Sequence, residues 1–130
     1  MARKTKILVV DDAENIRRAF SGMLELSGYE AFQAETGEEA IETIEREDIS
    51  LTLMDVVMPG MGGLEAAKRI RAIRKDHPVI LMSGYADDRI ETSGMEAGVR
   101  AFLRKPFDGS ILLKTIRGEI RSAEAVEAAR

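Results

Sequence analysis

The sequence predicts a single α/β domain wound on both faces of a parallel sheet, and three observations carry that prediction. Short apolar runs alternate with helix-like stretches five times along the chain. Such a βα repeat implies parallel strands joined by right-handed crossovers, because each helix must return the chain to the same starting edge. Four runs end on reactive polar groups: Ile7-Leu8-Val9-Val10 on Asp11-Asp12, Leu51-Thr52-Leu53-Met54 on Asp55, Val79-Ile80-Leu81-Met82 on Ser83, and Ala101-Phe102-Leu103-Arg104 on Lys105-Pro106. Parallel strands would bring those ends to one edge, where open α/β sheets place their ligands. The third observation is length, since 130 residues suffice for one domain with a real core and not for two.

Each element has its own signal. The first apolar run follows a basic start but stops after four residues at two aspartates, so it is a buried strand rather than a secretory signal. In residues 14–27, Ile16, Ala19, Phe20, Met23 and Leu24 recur at helical spacing and predict an amphipathic helix ending at Gly28. Residues 29–34 read as the second strand. Thr36-Gly37-Glu38-Glu39 has capping-box spacing and opens a helix that buries Ala40, Ile41 and Ile44. After the Asp55 strand, Leu64, Ala67, Ile70 and Ile73 mark a third helix, with Arg69, Arg71, Arg74 and Lys75 as its solvated face. His77-Pro78 breaks the chain before the fourth strand.

Residues 87–97 form the weakest helix, with Thr92, Ser93 and Gly94 at its middle. It reads as a helix held by packing and free to shift. The last helix starts near Asp108, buries Ile111, Leu112, Ile116 and Ile120, and grades into Ala/Glu-rich residues up to Arg130. The expected division is a domain over residues 1–121, with 122–130 as a C-terminal helical extension or the start of a linker.

Composition narrows the function classes. Hydrophobic residues at 45% and charged residues at 32% exclude both a disordered chain and a membrane-embedded one, and no apolar run approaches the ~18 residues of a membrane helix. A net charge of −4 argues against gripping a nucleic-acid backbone. Cysteine is absent, which excludes disulfide and thiolate chemistry and fits a reducing, cytoplasmic setting. A lone histidine, His77, argues against a His-rich metal site or a Ser-His-Asp triad.

The chemistry concentrates at the strand ends. Asp11, Asp12 and Asp55 would crowd three negative charges into one crevice, where each raises the pKa of the others, so the cluster calls for a cation. All-oxygen ligands suit Mg²⁺ or Mn²⁺. The bland alternative makes Asp11-Asp12 a cap on the first helix, but Asp55 and Lys105 at matching strand ends argue against it. A carboxylate such as Asp55 can attack phosphorus to give an acyl phosphate. The metal and Lys105 would then neutralise charge on the phosphoryl oxygens. Ser83 could cap its turn or donate a hydrogen bond to the new phosphoryl group. Gly60, Gly62 and Gly63 match neither a Walker loop nor a dinucleotide fingerprint, and read as a flexible rim beside Asp55.

Composition, order and spacing together make residues 5–121 resemble the receiver domain of two-component response regulators. The resemblance implies a flavodoxin-like (βα)5 sandwich, with a five-stranded parallel sheet in the order 2-1-3-4-5. It implies that Asp12 and Asp55 ligate the metal directly, that Asp11 holds a metal-bound water, and that the Val57 backbone carbonyl supplies a further oxygen. It also implies a cis peptide between Lys105 and Pro106, of a kind essentially confined to X-Pro bonds. Phe102 takes the family's rotating aromatic position, where turning inward would fill space vacated by Ser83 and remodel the surface of the fourth helix and fifth strand. Strand alternation alone also wants an apolar residue there. Val57 and Tyr85 take the positions that flank the hydrolytic water.

The implied activity is a phosphorylation-dependent switch. It accepts a phosphoryl group from a sensor histidine kinase or phosphotransfer protein, and catalyses its own phosphorylation and slow dephosphorylation without being a turnover enzyme. Outward residues Glu14, Asn15 and Arg18 of the first helix would dock the kinase. A homodimer through the fourth helix, fifth strand and fifth helix is the further expectation, with no nucleic-acid or membrane contact by this domain.

Three other readings fit the sequence less well. Haloacid-dehalogenase-like phosphatases carry Asp-x-Asp at the first strand, whereas this chain reads Asp11-Asp12-Ala13. A flavodoxin-type flavin module needs hydroxyls and glycines after the first strand, where two aspartates would repel phosphate. A degenerate receiver would lack some of the five family positions, and all are filled. The chain is expected to be either a single-domain regulator or the receiver of a longer protein. Val79-Ile80-Leu81-Met82-Ser83-Gly84-Tyr85 resembles stretches of enhancer-binding regulators and of receivers fused to kinases.

Overall fold

The computed structural model describes residues 4–84 and 88–129. Strand and helix alternate throughout: β1 (Lys6–Val10), α1 (Glu14–Leu26), β2 (Glu30–Ala34), α2 (Gly37–Arg46), β3 (Leu51–Asp55), α3 (Gly63–Ile73), β4 (Val79–Ser83), α4 (Asp88–Glu96), β5 (Ala101–Arg104) and α5 (Gly109–Ala128). All strand pairs are parallel, in the order β2-β1-β3-β4-β5. The flavodoxin-like order is therefore the one the resemblance implied. Register aligns Val10 with Met54, Asp55 with Met82 and Ser83 with Arg104, so the reactive residues that follow lie along one edge.

The sheet is buried from both sides, which explains why β1, β3 and β4 are near-continuous apolar runs rather than alternating ones. Period-2 geometry then sorts their side chains into two layers. Leu8, Val10, Met54 and Leu81 pack with Ala40 and Ile44 of α2 and with Ala66, Ala67 and Ile70 of α3. Ile7, Val9, Leu51, Leu53, Ile80 and Met82 pack with Leu24 of α1 and with Leu112 and Ile116 of α5.

Helix ends follow their local chemistry. The Thr36 hydroxyl accepts from the Glu39 amide at 3.1 Å, and the Glu39 carboxylate accepts from the Glu35 amide at 2.9 Å. The capping box is thus real, with its return arm one residue earlier than the pattern places it. Gly28 ends α1 at φ +94°, a conformation that favours glycine. Among the described residues, no helix is long and apolar enough to cross a membrane.

Four expectations about helix faces need correction. Ala19 is exposed, because the buried face of α1 is turned toward Ser21 and Leu24, and at 100° per residue Ala19 lies behind it. Ile73 is 45% exposed. A strict i+3 series drifts about 60° per step, so by Ile73 the stripe has rotated out of the core. Ile111 is 49% exposed and its neighbour Leu112 fully buried, which puts Ile111 at the margin of the α5 face. Arg71 and Arg74 are not simply solvated. Arg71 donates to the His77 carbonyl at 3.1 Å, and Arg74 to the Glu47 carbonyl at 3.0 Å, so both staple loops beneath the sheet.

Candidate functional site

β1 delivers Asp11 to the carboxyl edge of the sheet and fixes it there from three directions. Its amide donates to the Ala34 carbonyl at 3.2 Å, extending the ladder with β2 by one residue. Its carbonyl accepts from Arg17 Nη1 at 2.8 Å, and its Oδ1 accepts from the Ala13 amide at 2.9 Å. Asp11 is 1% exposed, whereas Asp12 beside it is open to solvent. Capping does not account for the pair, because the residue at the N-cap of α1 is Ala13, with no side-chain cap bond.

Asp55 ends β3. Its Oδ1 accepts from the Val57 amide at 3.3 Å and its Oδ2 faces Lys105 Nζ at 3.4 Å. The same ammonium lies 3.3 Å from Asp11 Oδ2. Lys105 is held in turn from β4, its amide donating to the Ser83 carbonyl at 2.7 Å, and the Lys105–Pro106 peptide is cis. Two carboxylates on neighbouring strands thus share one ammonium.

Electrostatics at Asp55 favour an added positive charge. Burial pushes its carboxyl above the ordinary value, Asp11 adds to that push, and Lys105 opposes it without prevailing. One carboxylate oxygen each of Asp11, Asp12 and Asp55 lies within 4.8 Å of the others. Ligand atoms on one octahedral Mg²⁺ stand about 3–4 Å apart, so small side-chain rotations would gather these three around one ion. The donor set fits a hard divalent cation.

Ser83 is fully buried at the end of β4. Phe102 is half-buried on β5, level with Leu81, against the α2/α3 layer. Val57 is 53% exposed beside Asp55, while Tyr85 lies outside the described residues. Sequence reasoning missed Arg17, whose bond to the Asp11 backbone follows from helix phase and not from any motif. It also missed Arg104, which meets Asp88 at 3.3 Å and Glu91 at 2.9 Å across β5 and α4.

The parallel sheet gathers acidic residues and a lysine at its carboxyl edge, where two aspartates would repel the phosphate of a flavin. Residues 7–117 match the response regulator receiver domain family, and the chain belongs to that family. It is 39% identical over 118 residues to the CAI-1 autoinducer sensor kinase/phosphatase CqsS of Vibrio cholerae, covering 85% of this chain and 17% of that protein. It is 35% identical over 120 residues to the transcriptional regulatory protein ResD of Bacillus subtilis, covering 92% of this chain and 50% of that one. The chain therefore spans about half or less of the length of these curated relatives.

Among solved structures it resembles a CheY-like receiver domain protein from Methanospirillum hungatei, with a TM-score of 0.92 at 31% identity over 95% of this chain and 98% of that one. It also resembles the response regulator TrrA of Thermotoga maritima in complex with Mg²⁺-BeF, with a TM-score of 0.82 at 36% identity over 88% and 98%.

Proposed function

We propose that this domain accepts a phosphoryl group on Asp55 from a phosphohistidine, with a divalent cation bound by Asp12, Asp55, the Val57 carbonyl and, through water, Asp11. The observation that carries the proposal is the shared ammonium of Lys105 between Asp11 and Asp55, inside a carboxylate cluster of metal-binding dimensions. An Asp55 Oδ attacks phosphorus; the O–P bond forms as the N–P bond breaks, and the departing imidazole takes a proton from solvent. Lys105 sits where it can neutralise charge on the transferring phosphoryl oxygens. Bound Mg²⁺ would supply further charge neutralisation and orient the incoming phosphate.

Ser83 then donates its hydroxyl to the phosphoryl group, Phe102 turns into the vacated space, and the α4/β5 surface changes shape. The domain is a switch that catalyses its own phosphorylation and slow dephosphorylation, without turning over a separate substrate. A sensor histidine kinase or phosphotransfer protein is the donor, docking on Glu14, Asn15 and Arg18 of α1. The exchange takes place in the cytoplasm, a reducing compartment that suits a sequence free of cysteine. The output is a partner, a second copy meeting the α4/β5/α5 face, or a domain that residues 122–130, as a helical extension or the start of a linker, would join to the receiver of residues 1–121.

Intact-mass spectrometry tests the proposal. The purified domain with a small phosphodonor and Mg²⁺ should gain one phosphoryl mass, and Asp55→Asn should not. A wild type of unchanged mass would overturn the reading.

A further inference from the structure

The first residue of α3 lacks a side chain for a reason that lies in the strand carrying Asp55. A Cβ on Gly63 would stand 2.2 Å from the Asp55 carbonyl oxygen, 2.9 Å from Val56 Cα and 3.0 Å from the Asp55 carbonyl carbon. The Gly63 amide donates to the Val56 carbonyl at 2.9 Å. The start of α3 is therefore seated directly on the peptide that bears the phosphoacceptor.

We infer that Gly63 is a positioning residue for the phosphoacceptor site: its bare Cα sets how closely α3 approaches the Asp55–Val56 peptide, and so where the Asp55 carboxylate and Val57 carbonyl stand relative to Asp11. The inference rests on the receiver reading above. An added methyl needs room, and its neighbours differ in how far they can yield. α3 is anchored by Ala66, Ala67 and Ile70, all fully buried. Asp11 is pinned by Ala34 and Arg17. The Val56 amide is tied to Met82 and Met58 is buried in the core, but Val57, Pro59 and Gly60 are exposed, which leaves this loop the least anchored of the three. The methyl therefore displaces the Asp55 end of the loop rather than the helix or Asp11, by about 1 Å to restore contact distance. Magnesium's short, near-octahedral bonds tolerate little of that. Gly62 offers a graded comparison, since a Cβ there would meet only the Val56 carbonyl oxygen, at 3.3 Å.

The test compares Gly63→Ala with Ile70→Val, which loosens the same helix away from the site. Mg²⁺ affinity is read by calorimetric titration with magnesium chloride, and phosphorylation by acetyl phosphate at saturating Mg²⁺. Gly63→Ala should weaken Mg²⁺ binding about tenfold or more and slow phosphorylation about 10²-fold, with the amide resonances of Val56 and Val57 shifted. Ile70→Val should keep both quantities within about twofold of wild type, as expected for a distant site. Gly63→Ala staying within that same range, or Ile70→Val reproducing both losses, would overturn the inference. If Gly63→Ala does not fold, Gly62→Ala decides: a several-fold loss of Mg²⁺ affinity supports the inference, and no loss overturns it. A wild type that neither binds Mg²⁺ nor gains phosphate would remove the receiver reading, and this inference with it.

Discussion

Val57 shows how much chemistry a single exposed side chain can govern. Its amide holds Asp55 Oδ1, while its apolar branched side chain is open to solvent at the mouth of the site. Hydrolysis of an Asp55 phosphoryl group needs a water in line with phosphorus, and an isopropyl group cannot hydrogen-bond that water. Losing one positioned hydrogen bond to a reacting water costs about 1–3 kcal/mol, or one to two decades in rate. Val57→Asn with Tyr85→Glu should therefore shorten the phosphoryl lifetime about 10- to 100-fold and leave Mg²⁺ affinity near its starting value. Decay of the phosphorylated mass over time measures this. Lys105 works in the opposite sense on the metal, because its ammonium competes with any cation for Asp11 and Asp55. Lys105→Met should tighten Mg²⁺ about tenfold, by removing like-charge repulsion in a partly buried site. The same change should slow phosphorylation about 10²-fold or more, by removing a charge aimed at the transferring group. Parallel loss of both quantities would show that Lys105 mainly props the site open.

At the scale of elements, helices were legible as objects and less legible as faces. The α2 start was written in Thr36 and Glu39, because a capping box is local chemistry. The α1 and α3 faces depart from the apolar pattern at Ala19 and Ile73, because only packing decides which flank of an apolar stripe meets the sheet. Arg71 and Arg74 look like solvated charges in sequence, and they become staples only once the Glu47 and His77 carbonyls are folded beneath them. The outer face of α1 carries its own prediction. Glu14 and Arg18 pair there at 3.0 Å, both well exposed, so the pair adds little stability and leaves the face available. Substituting Glu14, Asn15 and Arg18 together should slow transfer from a phosphohistidine donor about tenfold or more, a typical cost for losing a few contacts at an interface. Phosphorylation by acetyl phosphate should keep its rate. Time courses with the two donors separate docking from damage to the pocket.

For the whole molecule, reactive residues at strand ends revealed the site, and a parallel βα repeat revealed the sheet. Strand order came only from the family resemblance, since periodicity carries no information about which strands are neighbours. The opposite edge of the sheet was invisible in the sequence, where His77 figures only as part of the break before the fourth strand. There, Thr52 Oγ1 and His77 Nε2 share a buried hydrogen bond of 2.8 Å that ties the start of β4 to β3. Burial, and then the positive charges of Arg74 and Arg71, push the His77 pKa down to about 4. An unfolded histidine titrates near 6.5, so between these two values the unfolded chain binds a proton that the folded one refuses. Stability from this site is complete above pH ~6.5 and is lost as pH falls toward ~4, by up to about 3 kcal/mol for a shift of this size. Carboxylates titrate in the same range, and Asp55 acts with the opposite sign because its folded pKa is raised, so wild-type data alone would blend the two. The difference between wild type and His77→Gln cancels the carboxylates and retains a polar partner for Thr52. Urea midpoints across pH 4.5–7.5 should therefore fall more steeply with acid in the wild type, by about 1–3 kcal/mol over the interval. Parallel pH curves for the two proteins would show that His77 stays neutral without cost, and that the acid sensitivity of this domain arises elsewhere.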